Sequence, residues 1–150
     1  MNKRLKVLVI PSWYPTKENP IWGNYFIEQA KSLNKYADIS MLRINRVGLK
    51  NINTLFEERK TDGYINKLYP FHFYKHTILN LKSINLGLSF WLYKKSAYKA
   101  YKKYIKIVGK PDIIFVQSVL PAGLAAQYIS EKENIPYVVH EHSCDVVTNS

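Results

Sequence analysis

LKVLVIPSWYPTKENPIWGNYFIEQAKSLNKYADISMLRI, residues 5 to 44, decides the fold. Its first six residues, LKVLVI (5–10), are an aliphatic, β-branched run closed by Pro11, and they read as a strand buried on both faces. A loop carrying Pro11, Pro15, Pro20 and Gly23 follows. From Asn24 the apolar period lengthens: Phe26, Ile27, Ala30 and Leu33 fall on one helical face, with Asn24 available as the cap and Glu28 in the first turns. ADISMLRI (37–44) returns to strand character. Strand, loop, helix and strand in this order build a parallel sheet with right-handed crossovers.

Working outward, residues 45–60 are polar and irregular, and GYINKLYPFHFY (63–74) carries strand-like aromatics near Asp62, Gly63 and Pro70, the pattern of a short edge strand. Phe90, Tyr93, Ala97, Tyr101, Tyr104 and Val108 then recur at helical spacing, while Lys95, Lys99, Lys102, Lys103, Lys106 and Lys110 occupy the other face. This predicts a long amphipathic helix ending near Gly109 and Pro111. PDIIFVQSVL (111–120) reads as the next buried strand. Pro121 can start a helix at its first position, with Leu124, Ala125, Tyr128 and Ile129 inward, and IPYVVHEHS (135–143) reads as a closing strand. The alternation predicts a doubly wound α/β domain. Such domains bind ligands at the carboxyl ends of their strands: after Ile10, after Val116, and at HEHS.

The chain has 150 residues, 47% of them hydrophobic and 14% aromatic, enough to bury one core and too apolar for a disordered tail. Twenty-two Lys and Arg against eleven Asp and Glu leave a formal charge of +11, which favours anionic partners: nucleic acid, an acidic membrane surface or phosphate-bearing small molecules. A single cysteine excludes an intrachain disulfide and fits a reducing compartment. LKVLVI is too short for a signal peptide core, and LGLSFWLY (86–93) is too short to span a bilayer, so a cytoplasmic location is expected.

Six scattered glycines form neither GxGxxG nor a P-loop. The loop SWYPTKENPIWGN (12–24) nevertheless ends in a glycine at a helix N-terminus, where amide groups and the helix dipole favour an anion; the plain alternative is a connector. In VVHEHSCD (138–145), an extended strand would put His140, His142 and Cys144 on one face, roughly 7 Å apart at successive steps, with Glu141 opposite. A metal site would use those three residues, but successive strand positions surround a tetrahedral ion poorly and no second cluster supplies a fourth ligand. A substrate edge and a satisfied core histidine remain as the other readings.

VLVIPSWYPTKENPIWGNYFIEQAKSL (7–33) resembles the opening of family 4 glycosyltransferases of the GT-B fold. PDIIFVQSVLPAGLAAQYISEKENIPYVVHEHS (111–143) is similar to the stretch in which those enzymes read approximately PDIIHAH, PAG and IPYVVTEHS. The resemblance implies an α/β, Rossmann-like parallel sheet with helices on both faces, the N-terminal, acceptor-side half of a two-domain enzyme. Residues 1–150 are then a single domain, ending before that domain's last strands, with the nucleotide-sugar domain outside the chain. It further implies sugar transfer with retention from a nucleotide sugar to a glycan or lipid-linked acceptor, in cell-surface polysaccharide or glycolipid synthesis. The isolated chain is not expected to turn over substrate.

Carried over position by position, the resemblance places Trp22, Gly23 and Asn24 beside the donor diphosphate. It makes His142 the residue that lies against the donor sugar and assists transfer, with Glu141 and Ser143 as its framing substrate contacts. His140 stands where the family usually has threonine. Phe115 and Gln117 stand where it commonly has His-x-His, so acceptor contact at Gln117 is altered. No metal and no cofactor is expected; the nucleotide sugar is a substrate. Peripheral contact with the inner membrane face through the Lys95 to Lys110 helix is a further expectation, and nucleic acid is not an expected partner. The rival readings are a basic nucleic-acid or membrane-surface module and, behind it, a metal-dependent hydrolase.

Overall fold

The computed structural model describes residues 4–15, 19–47, 61–64, 71–79 and 86–142, with backbone alone for 45–47, 61–64 and 71–79. Its strands are β1 (Lys6–Pro11), β2 (Asp38–Val47), β3 (Thr61–Tyr64), β4 (Phe71–Leu79), β5 (Ile113–Gln117) and β6 (Tyr137–His140). Its α-helices are α1 (Asn24–Leu33), α2 (Leu86–Val108) and α3 (Leu124–Glu133). The strands form one sheet in the order β3-β4-β2-β1-β5-β6, in which β3 is antiparallel to β4 and the other pairings are parallel. The α/β class with helices on both faces stands as the sequence predicts.

Strand alternation sorts the core onto the two faces. On one, Val7, Val9, Ile39 and Met41 bury Ile27 and Ala30 of α1. On the other, Leu8, Ile10, Leu42, Ile114 and Val116 receive Tyr101 and Tyr104 of α2 and Ala126 and Ile129 of α3. Tyr93, Tyr101 and Tyr104 are almost fully buried, as their spacing predicts. Burying a large apolar side chain is worth roughly 1.5–3 kcal/mol, so this face of α2 fixes the helix far more strongly than its propensity does.

The structure corrects four local expectations. The cap position of α1 belongs to Gly23, in the left-handed region at φ 71°, and Asn24 is the first helical residue, without a side-chain cap. A Cβ on Gly23 would lie 2.9 Å from the Trp13 carbonyl oxygen, so the close approach demands glycine whether or not a ligand binds there. β5 stops at Gln117, short of the expected Leu120; Leu120 is still extended (φ −119°, ψ 132°) and helical backbone begins only after it, so Pro121 opens the helical segment that runs into α3, as expected for proline at a first helical position. Ala125, Ala126 and Ile129 are the buried residues of α3, while Leu124 and Tyr128 are half-buried. β6 ends at His140, which removes Glu141 and His142 from the strand geometry. Ser143, Cys144, Asp145 and Pro70 lie outside the described residues.

Candidate functional site

β1 leads through α1 to β2 on one side, and β5 leads through α3 to β6 on the other, so chain direction diverges between β1 and β5. A crevice at the carboxyl ends of those two strands is the general ligand position of an open α/β sheet. Here it is stitched tightly. The Ser12 N–H donates to the Gln117 carbonyl at 3.0 Å, the Ser12 hydroxyl donates to the Ser118 carbonyl at 3.0 Å, and the Ala122 N–H donates to that hydroxyl at 3.1 Å.

Ser118 is the strained point, at φ 74° and ψ 140°, backbone that glycine adopts easily and side-chain-bearing residues rarely do. Its N–H donates to the His140 carbonyl at 2.8 Å, and its hydroxyl donates to Glu141 Oε1 at 2.6 Å. The other carboxylate oxygen, Glu141 Oε2, accepts the Val119 N–H at 2.6 Å, and Oε1 also accepts the His142 N–H at 2.8 Å. Glu141 therefore clamps the β5 exit to the β6 exit.

With the strand ended, His140 and His142 no longer stand about two strand steps apart: their ring centroids are 4.0 Å from each other. The His142 ring lies edge-on to Tyr25 at 4.9 Å and to Phe26 at 5.2 Å, on the first turn of α1 next to Gly23. His140 also faces Phe115 at 6.3 Å. Burial lowers the His142 pKa and the neighbouring His140 lowers it further, against the opposing pull of the Glu141 carboxylate, so the ring is held neutral. Tyr25 is pushed up, by burial first and then by Glu141.

Two buried polar atoms in this region have no hydrogen-bond partner among the described residues: His142 Nε2 and Gln117 Oε1. Gln117 is wholly enclosed, and its Nε2 donates to Gln29 Oε1 on α1. Such atoms are where a bound hydroxyl finds a partner: the Gln117 oxygen can only accept, whereas the His142 nitrogen can donate or accept according to its tautomer. Trp22 is exposed, as are Ile21, Tyr25, Val119 and Leu120, which gives this edge of the sheet an apolar rim.

The sequence-predicted residues Gly23, Asn24 and His142 thus share one locale, with Trp22 beside them, and Glu141 and Gln117 stand behind it. Sequence reasoning missed Ser118 and Tyr25. The first carries no local signal, because serine in that backbone conformation is imposed by its partners. Tyr25 precedes the buried Phe26 and reads as an outward helical residue. Among the described residues no group of three His, Cys, Asp or Glu side chains gathers to hold a metal, and no helix is long and apolar enough to cross a membrane. A cavity of about 270 Å³ lies at the opposite, amino edge of the sheet, against Lys6, Asp38, Ser40 and Tyr104, and contains none of the site residues.

The chain matches no protein-family model and no curated protein sequence.

Proposed function

We propose that residues 1–150 are the acceptor-side domain of a retaining GT-B glycosyltransferase, working at the cytoplasmic side of a membrane in cell-surface polysaccharide or glycolipid synthesis. The observation that carries this reading is the seating of the His142 ring on the first turn of α1 beside Gly23, with Nε2 unpartnered, at the crevice between β1 and β5. It joins the two segments on which the sequence resemblance rests, 7–33 and 111–143.

The chemistry suits the arrangement. Departure of a nucleoside diphosphate builds negative charge on phosphate, which amides at the start of a helix stabilise. The neutral imidazole of His142 can exchange a hydrogen bond with a sugar hydroxyl as the ring becomes oxocarbenium-like, and the buried Gln117 oxygen can accept one. Glu141 holds these groups in register through its bonds to Ser118, Val119 and His142. The donor sugar is a substrate, and no step is assigned to a metal or cofactor.

The test is nucleoside diphosphate release from a panel of nucleotide sugars by the polypeptide of the whole reading frame. His142→Ala should lower turnover by about 10²–10³-fold, as expected for loss of a group acting on transition-state charge, while leaving the unfolding midpoint nearly unchanged. Near-normal turnover in that variant, or failure of the parent protein to use any donor, would refute the reading.

A further inference from the structure

Lysines gather at two places along α2. Toward its carboxyl end charge is answered by α3: Lys102 pairs with Glu133 at 3.1 Å, and Lys110, just past the end of the helix, donates to the Glu133 carbonyl at 2.6 Å. At the amino-terminal half, Leu86, Leu88 and Trp91 are 68%, 42% and 50% exposed. Leu88, Trp91 and Lys95 follow one another at helical spacings of three and four, so they share a stripe.

Beside that stripe three ammonium groups converge on one aromatic ring of α3. Lys94, Lys95 and Lys132 lie 5.9, 5.3 and 6.0 Å from the centre of Tyr128, and Lys95 also donates to the Tyr128 hydroxyl at 2.9 Å and sits 5.7 Å from Trp91. Among the described residues no carboxylate pairs with these three lysines. Exposed leucine and tryptophan next to unanswered cations is the composition of a surface that lies in a bilayer interface, with Trp at the boundary and Lys reaching headgroup phosphate.

We propose that the face formed by the amino-terminal half of α2 with Tyr128 and Lys132 of α3 docks on an anionic lipid bilayer. The formal charge of +11 supplies the long-range attraction. Bare Leu86 and Leu88 favour lipid over nucleic acid, whose phosphates a purely basic groove would track. The contact thus shares only Lys95 with the Lys95 to Lys110 stretch expected from charge alone, and it stands apart from any glycosyltransferase activity.

Co-sedimentation of the 150-residue chain with vesicles of phosphatidylcholine alone, and of phosphatidylcholine with phosphatidylglycerol, tests it. Binding should require phosphatidylglycerol. Each lysine near the surface contributes about fivefold, so Lys94→Gln, Lys95→Gln and Lys132→Gln together should weaken binding about a hundredfold, whereas Lys102→Gln changes it by less than about threefold. Leu88→Ser with Trp91→Ser should weaken it at least about tenfold. Bromine-bearing lipid should quench a tryptophan component that Trp91→Phe removes, with unchanged far-ultraviolet circular dichroism. The proposal fails if anionic vesicles are not bound, if the Leu88 and Trp91 variant binds normally, or if the chain binds duplex DNA in a salt-dependent way and vesicles not at all.

Discussion

Replacing Glu141 by glutamine tests whether this residue is a clamp. The carboxylate accepts three short hydrogen bonds: from the Ser118 hydroxyl and the Val119 N–H at 2.6 Å each, and from the His142 N–H at 2.8 Å. Hydrogen bonds to a charged group are each worth roughly 1.5–3 kcal/mol, and the lower end applies because Glu141 is only half-buried. Glutamine keeps an oxygen for Ser118 and His142 but turns an NH₂ toward the Val119 N–H, donor against donor. One charge-assisted bond is lost and two become neutral, a cost of about 2 kcal/mol. The clamp also holds Ser118 in backbone that costs about 1–3 kcal/mol, so Ser118→Gly should be coupled to Glu141→Gln. Urea unfolding of the single and double variants, followed by circular dichroism, measures both effects. The reasoning is refuted if Glu141→Gln lies within about 0.5 kcal/mol of the parent, or if the two substitutions add without a coupling of at least about 0.5 kcal/mol.

Gly23→Ala should destabilise by about 2–4 kcal/mol, because its Cβ meets the Trp13 carbonyl oxygen at 2.9 Å and the Phe26 ring at 3.1 Å on top of a left-handed backbone. Gly109→Ala, at φ 93° with only the Lys6 ammonium at 3.5 Å, should cost about 1–2 kcal/mol; equal losses in urea unfolding would show that the Trp13 contact is unimportant. For His142 the folded pKa lies below its unfolded value of about 6.5, so the unfolded chain takes up the proton first. Its contribution is full above pH 6.5 and is lost as pH falls through the depressed folded value. Proton NMR titration of the imidazoles should show the His142 midpoint below 6.5 and rising in His140→Asn; a midpoint at or above 6.5 in the parent would overturn the assignment.

Much of the fold is legible in the sequence because its signals are local. The aliphatic run 5–10, the 3.6-residue spacing of Tyr93, Ala97, Tyr101 and Tyr104, and the buried run after Asp112 each depend on neighbours within a turn or a strand step. The short edge strand expected in 63–74 is legible only in part: β3 stands at the sheet edge, but β4 runs on to Leu79 and pairs with β2 inside the sheet. Boundaries were harder. β5 ends where Ser118 leaves extended backbone at φ 74°, and beyond β6 the Glu141 carboxylate turns back to the Ser118 hydroxyl and the Val119 N–H. No periodicity in either segment records that.

The sequence by itself determined the α/β class of the protein and the faces that α1 and α2 bury. Those follow from hydrophobic period and element order. Only the tertiary structure decided that Glu141 is a clamp, that the His140 and His142 ring centroids lie 4.0 Å apart, and that Lys102 meets Glu133 while Lys94 and Lys95 gather on Tyr128. These are contacts between residues far apart in the chain, such as Ser12 with Ser118 and Gln29 with Gln117, and strand register and helix packing set them. A local pattern fixes which way a side chain faces; what it meets there is fixed by where the other elements come to rest.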